Sequence, residues 1–539
     1  MRVNSSFSLK LFAFLTLFHF ISPSNILIFN PIFGFSHVKF VTKLADIIAD
    51  HGHNVTLFQP WHNAMKNTEG LVKNKNVEII NYFPEHFEEL KLTETQTFPS
   101  LWDSKWMQDP LVGAFLWPTL LGGSFKRTSV QLLQDQKVLE TLRNRKFDVV
   151  VSETFDITGH YLAWLLELPC IPFITTVRFP SVSELFGQPS HLGYSPQMNH
   201  QIALEDVGFF DRLSNVYHKY LGNFGQNKML EYQYEFIKEV VDKPIPYWKD
   251  LITQAPIYIA QSNPYLDFAV PTTATIVHAG GITMNLEKSK NTGALSEEYE
   301  SILNERNASV LISFGSVIRS YEMPESFKSG IIQMFRSLPN VTFIWKYERE
   351  DVELQKRLPN NVHLKKWVPQ PALLSDKRLN VFVTHGGLGS TQEIAYTGKP
   401  ALMIPIFGDQ PSNAQMLARH GGAVSFDKFD LQNGQKLTDV IREMVTNPIY
   451  NEKARELADV LAHQPIDPTV NLMRHLEFAI KFPNLRAQVP SISLEGPIAF
   501  YYLDVIAFTA TMVSLMLFLS FKLFNKLSFS FKARKQKTN

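Results

Sequence analysis

From residue 25 onward, short apolar runs alternate with stretches of helical periodicity, and the alternation occurs twice along the chain. This restricts the fold more than any other feature of the sequence. Residues 25–30 read as a strand, 31–36 as a Gly/Pro turn and 37–49 as a helix. Strand runs at 53–58, 147–151 and 171–175 follow, with a helix through Leu166 between the last two. A second series runs through strands at 310–314, 341–345, 362–364, 381–384 and 401–404. Strands separated by helices predict parallel, doubly wound α/β sheets. A chain of 539 residues, at roughly 100–200 residues per domain, suggests two or three units. We expect an N-terminal lobe over 25–255, ending after Pro244 and Pro246, and a second over 256–480. Two such lobes facing each other leave a cleft for a ligand. Between the two series lies an aromatic-rich stretch with Phe209, Phe210, Tyr217, Tyr220, Phe224, Tyr232, Tyr234 and Phe236. Most of these are expected to pack in the core or against neighbouring helices, with some lining an apolar pocket.

The two ends carry apolar segments of different kinds. Arg2 and Lys10 precede the apolar run 11–21, and Ser22 and Ser24 follow at signal-peptidase spacing, so residues 1–24 are expected to be a cleaved signal peptide. Residues 498–521 match the ~20 apolar residues that cross a bilayer. Lys522, Lys526, Lys532, Arg534, Lys535 and Lys537 come after them. Positive flanks stay in the cytoplasm, which predicts a type I protein with a lumenal body, a juxtamembrane segment 481–497 and a basic tail 522–539. Asp504 is an unfavourable charge inside the expected span, within reach of its lumenal interface. Lys535 and Lys537 resemble a dilysine retrieval signal of the endoplasmic reticulum, and Asn54, Asn307 and Asn340 head N-glycosylation tripeptides.

Lys plus Arg number 52 and Asp plus Glu 51, so no one-sided field would draw a nucleic acid. Cys170 is the single cysteine, which excludes an intrachain disulfide framework and Cys-based zinc or iron–sulfur centres.

The densest chemistry lies in Trp367-Val-Pro-Gln370, Thr384-His-Gly-Gly-Leu-Gly-Ser-Thr-Gln-Glu393 and Pro405-Ile-Phe-Gly-Asp-Gln410. A strand ending at Thr384 delivers His385 and a glycine-rich turn, and Ser390 opens a helix. Ligands of open α/β sheets bind at the carboxyl ends of strands. Glycines admit close backbone approach, and a helix N-terminus offers unpaired N–H groups to a diphosphate. Trp367 offers a flat face to a base, and Glu393, expected in the first helical turn, offers a carboxylate to ribose hydroxyls.

These motifs, from Trp367 to Gln410, resemble the UDP-glycosyltransferase signature, and the whole chain resembles the membrane-bound UDP-glucuronosyltransferases. The resemblance implies a GT-B fold, two facing Rossmann-like domains with a C-terminal transmembrane helix. The first domain would bind acceptor and the second UDP-sugar. It implies that Trp367 stacks on uracil, Gln370 touches the nucleoside, His385 and Ser390 hold the diphosphate beside Gly387, Glu393 binds ribose, and Asp409 and Gln410 contact the sugar. Ser313, Gly315 and Ser316 resemble the family's second phosphate-side loop, while Gly389 stands where many members have asparagine. His37 is implied as general base, since an imidazole with a pKa of about 6.5 can take the proton of an attacking hydroxyl. Its acidic support would be Glu153, where aspartate is common, or Asp156 three residues on. His160 and His363 read as structural.

The expected reaction is inverting transfer of a hexuronosyl or hexosyl group, UDP-glucuronate foremost, to a small lipophilic acceptor, as in xenobiotic conjugation. UDP-sugar is then a co-substrate, and no cofactor or metal is expected, because the sequence has no Asp-x-Asp triad. A sugar-nucleotide-binding protein without catalysis and a glycolipid-synthesising hexosyltransferase are the alternatives. The sequence is also compatible with a homo-oligomer.

Overall fold

The computed structural model describes residues 23–64, 70–93, 101–104, 109–190, 197, 200, 207–284, 295–485 and 497–535. The expected signal peptide up to residue 22, juxtamembrane residues 486–496 and tail residues 536–539 lie outside them. Among the described residues the strands form two parallel sheets. The first contains β1 (Asn25–Phe29), β2 (Asn54–Pro60), β3 (Glu78–Tyr82), β4 (Val149–Glu153), β5 (Cys170–Ile174), β6 (Tyr258–Ala260) and β7 (Ile276–His278), in the order β3-β2-β1-β4-β5-β6-β7. The second contains β8 (Ala308–Ser313), β9 (Val341–Lys346), β10 (Val362–Lys365), β11 (Leu379–Thr384), β12 (Ala401–Met403) and β13 (Ala423–Ser425), in the order β10-β9-β8-β11-β12-β13.

The apolar runs are continuous because both faces of each sheet are covered. Along β1, Ile26 and Ile28 pack into one cluster with Val41 and Leu44, while Leu27 and Phe29 pack into another with Tyr161 and Leu162. Successive side chains alternate across the sheet, and both sets have no solvent exposure. Chain direction across each sheet reverses at one gap, between β1 and β4 in the first and between β8 and β11 in the second. Loops leave such a gap in opposite directions and open a crevice at the strands' carboxyl ends.

The helices used below are α1 (Phe35–Asp50), α2 (Phe209–Val240), α3 (Leu388–Thr397), α4 (Gln410–Ala418), α5 (Pro468–Lys481) and α6 (Leu503–Lys535). The first sheet runs past the lobe boundary expected at residue 255, because β6 and β7 extend it to His278. Helix α5, expected in the second lobe, crosses back to the first. Its Leu472, Met473 and Leu476 complete the cluster beneath β1 and α1. A three-residue strand and an amphipathic helix carry no mark of which sheet they will join.

The apolar segment suited to a bilayer is also displaced from the expected 498–521, to Leu503–Leu527. Pro497–Phe500 forms a separate short helix, and Tyr502 takes a left-handed φ of 55° before α6 begins. Asp504 therefore sits in the first turn of α6, bonded to its neighbour's N–H, where a helix N-terminus favours an acid.

Candidate active site

The two crevices face one another across a cavity of about 640 Å³. From the first lobe it is lined by Phe33, His37, Phe155, Phe179 and Met229, and from the second by Trp367, His385, Ser390 and Asp409.

His37 is the third residue of α1, immediately past β1, and Glu153 is the last residue of β4, across the switch point. The fold thus joins them from 116 positions apart: His37 Nδ1 lies 2.7 Å from Glu153 Oε1. Thr175, just past β5, brings its hydroxyl within 2.6 Å of the same nitrogen and donates to the same carboxylate oxygen. Glu153 is fully buried, whereas the His37 side chain keeps 16% exposure toward the cavity. With Nδ1–H donated to the carboxylate, Nε2 becomes the basic nitrogen, and among the described residues it has no partner. The rings of Phe33 and Phe155 stand 4.4 and 5.3 Å from the imidazole and make its surroundings apolar. Asp156 does not reach His37. It accepts from Thr158 N–H and pairs at 2.9 Å with His62, another buried histidine. Of the two expected acids, Glu153 is the one in contact with His37, and Asp156 is in contact with His62.

On the opposite wall, α3 begins at Leu388 behind Gly387, with no side-chain cap, so its first N–H groups are unclaimed toward the cavity. Glu393 lies in the second turn, not the first, because the helix starts two residues before Ser390. Its carboxylate already has partners: Gln370 donates to one oxygen at 2.7 Å, and Lys39 of α1 reaches across the cleft to the other at 2.7 Å. Gln370 also donates to Ser390 Oγ at 3.1 Å. His385 is wedged between two glycines. A Cβ on Gly315 or Gly387 would stand 2.6 Å from its ring, and Gly315 has φ +83°. Burial, and next the Lys346 charge, push the His385 pKa down to about 4, so the imidazole is neutral.

The remaining expected residues are also at the cavity. Trp367 is 60% exposed, its backbone carbonyl fixed by Tyr299 at 3.0 Å. Ser313 is buried with an unpartnered hydroxyl, and Ser316 lies beyond it at the mouth of β8. Asp409 accepts from Asn413 at 2.9 Å, and burial pushes its carboxyl above the ordinary range. Gln410 uses its amide oxygen to hold the N–H groups of Ile406 and Phe407. A Cβ at Gly389 would meet nothing within 4 Å, so the side chain absent there leaves open space. His160 is buried with both nitrogens unpartnered, and His363 pairs with Glu305 at 3.0 Å.

Several site residues escaped the sequence reading. Lys346 ends β9 with its side chain only 6% exposed, donates to Gly315 O at 2.6 Å, and stands 5.5 Å from the Trp367 ring. Its place as the last residue of a second-lobe strand was the available signal. Lys39, two residues past His37, and Thr175 gave no signal of their own. Of the α2 aromatics, Phe236 is in the core, Tyr234 packs half-buried against it and Phe224 lies against Phe115 of the neighbouring helix, while Phe209, Phe210, Tyr217, Tyr220 and Tyr232 are exposed. The cavity's rings come from loops after strands, at Phe33, Phe155, Phe179 and Phe407, from Phe35 and Phe40 of α1, and, on α2, from His218.

A profile of the family described as "UDP-glucoronosyl and UDP-glucosyl transferase" matches residues 26–538. The UDP-glycosyltransferase UGT5 of Dactylopius coccus is 27% identical over 516 residues, covering 92% of this chain and 91% of that protein. The UDP-glucuronosyltransferase 3A2 of Homo sapiens is 25% identical over 485 residues, 88% of each chain. Among solved structures, LpCGTa in complex with UDP superposes with a TM-score of 0.56 at 16% identity, over 86% of this chain and 99% of that one. Phytolacca americana UGT2, complexed with UDP-2fluoro-glucose and pterostilbene, gives 0.54 at 15% identity, over 85% and 99%. These likenesses identify the pair of facing sheets as a GT-B fold.

Proposed function

Because the chain belongs to the UDP-glucoronosyl and UDP-glucosyl transferase family and is a UDP-sugar glycosyltransferase, we propose the following substrates and mechanism. The donor is UDP-glucuronate, the acceptor is the hydroxyl of a small lipophilic compound, and the transfer inverts the anomeric carbon. One observation carries this reading: the His37–Glu153 pair and the uncapped start of α3 open onto the same cavity from opposite lobes. His37 Nε2 takes the acceptor's proton as its oxygen attacks the anomeric carbon, and Glu153 stabilises the imidazolium that forms. The bond to UDP breaks on the far side. The leaving phosphate gains charge beside the α3 N-terminus and Lys346, and no metal takes part. Trp367, Gln370, Glu393, Asp409 and Gln410 keep the donor roles expected of them.

The rings of Phe33, Phe155 and Phe179 support an apolar acceptor. Lys346, nearly buried at the cavity wall, suits an anionic donor. Helix α6 supports a single membrane span, the basic residues after it support lobes on the lumenal side of the endoplasmic reticulum, and the exposure of Asn54, Asn307 and Asn340 is compatible with lumenal glycosylation.

The test is UDP release by the membrane-bound protein with a panel of UDP-sugars and a planar phenol, with and without EDTA, for wild type and His37→Ala. UDP-glucuronate should turn over in both conditions, and the variant should lose turnover while still binding UDP. Preference for another UDP-sugar would replace the donor assignment. Turnover surviving in His37→Ala would remove the base assignment.

A further inference from the structure

Helix α2 has two unlike faces. Asn215, Lys219, Gly225 and Met229 are buried along one, and Gly222, Gly225 and Met229 line the cavity. Along the other, Phe210, Leu213, Tyr217, Tyr220 and Phe224 recur every three or four residues and are 40–78% exposed. The helix Pro110–Trp117 lies against it so closely that a Cβ on Gly225 would stand 2.8 Å from Ala114 Cα. That helix adds Leu111 and Phe115, 47% and 64% exposed, and the Phe115 and Phe224 rings are 5.6 Å apart. The two helices form one wall, with the cavity behind it and an aromatic surface in front.

This surface adjoins the start of α6. The ammonium of Lys219, buried on α2, bonds to the Tyr501 hydroxyl, pairs with Glu184 at 2.8 Å, and lies 4.3 Å over the Tyr501 ring. Tyr501 lies two residues before α6. Exposed Ile498, Tyr502 and Leu503 continue the apolar surface into the span. Up to Phe224 the exposed charges of α2 are Asp211 and Arg212, and the run of charges resumes at Lys228 and Glu231, farther along the helix. From Leu213 to Phe224 no exposed charge interrupts the stripe, and this is the stretch pinned to the span through Lys219.

We propose that the stripe on α2, with Leu111 and Phe115, is a second membrane contact, bedded in the interfacial layer of the bilayer that α6 enters. Aromatic side chains favour that layer, and apolar patches of this extent mark interaction surfaces. The tether on Lys219 brings the patch to the bilayer in every copy, whereas a second protein molecule would have to be recruited to cover it. The cavity wall is then the membrane-facing wall, one helix thick, and a lipophilic acceptor enters from the lipid side.

The inference rests on reading α6 as a membrane span, and the test separates the two. Single cysteines are placed in the full-length, Cys170→Ala chain at Phe210, Tyr217, Val352 on the second lobe, and Leu515 within α6. They are labelled with an environment-sensitive fluorophore in phosphatidylcholine vesicles. Labels at 210 and 217 should be quenched by a nitroxide on the lipid chains, as at 515, and shielded from aqueous iodide, while 352 shows the reverse. Iodide quenching at 210 and 217 equal to that at 352 would overturn the second contact and leave the span standing. Shielding of both positions from both quenchers would overturn it in favour of a protein partner. Failure of the lipid quencher at 515 would remove the span itself.

Discussion

The sharpest test of the dyad is Glu153→Gln, which retains an acceptor for His37 Nδ1 and removes only the charge. On the proposed mechanism the His37–Glu153 charge pair forms only as the acceptor's proton moves, so Glu153 does little for substrate binding. In the transition state the ring becomes an imidazolium 2.7 Å from the carboxylate oxygen. With the charge centres about 4 Å apart and an effective dielectric near 20, their attraction is about 4 kcal/mol, or roughly a thousandfold in rate. An interaction present only in the transition state should appear in kcat, with KM for both substrates nearly constant. Stability should move the other way. Glu153 is fully buried and its second oxygen has no partner, so a neutral amide removes a desolvation penalty, and thermal melting should stay level or rise. Glu153→Asp should lose activity as well, because shortening the side chain by one methylene, about 1.5 Å, takes the carboxylate out of hydrogen-bond reach. Steady-state kinetics beside a thermal melt checks all three statements. A kcat for Glu153→Gln within about threefold of wild type would refute the electrostatic role.

Lys39→Met removes the group that occupies Glu393 when no donor is bound. For a half-exposed pair worth about 0.2–1 kcal/mol, UDP should bind up to about fivefold tighter by calorimetry, and weaker binding would place Lys39 on the ligand instead. Lys346→Met removes a nearly buried ammonium worth about 1.5–3 kcal/mol as a charged donor. UDP affinity should fall by about 10–100-fold while uridine affinity changes little, and equal losses for both would assign Lys346 to the base. His385, depressed to about 4 from its ordinary 6.5, should show a neutral ring by NMR down to about pH 5. Its contribution to stability is present above pH 6.5 and lost as the pH falls from there toward 4, where the unfolded chain binds a proton that the folded one refuses.

The strands were legible because each is a short apolar run, the glycine-rich turn because it follows one of them, and His37 through the family resemblance. What the sequence withheld is whatever depends on partners distant along the chain. Helix α5 reads as an ordinary amphipathic helix, and only the open underside of the first sheet makes it cross between lobes. The α2 stripe has the same spacing as a core stripe, so periodicity finds the face without saying that the face is outside. Lys39 and Glu393 are 354 positions apart and meet only because the two crevices oppose each other. Thr175 enters the dyad because β5 lies beside β4, a neighbour relation fixed by sheet order.

Sheet order also explains how the charges are divided. Each crevice lies where β1 parts from β4 or β8 from β11, so each lobe can place one set of groups at the shared cavity. On the proposed mechanism the first lobe supplies an anion, Glu153, behind the His37 ring that becomes cationic. The second supplies the uncapped end of α3 and the ammonium of Lys346, the groups proposed to face the leaving phosphate. His385, between them, is held neutral by burial and by Lys346 itself, so it can hydrogen-bond to a phosphate oxygen without competing for the proton that His37 receives. On that reading the base and the groups facing the leaving phosphate stand on opposite walls, and the ion pair of Lys39 with Glu393 is the one charged contact among the described residues that crosses between the cavity walls, the contact a bound nucleotide is expected to open.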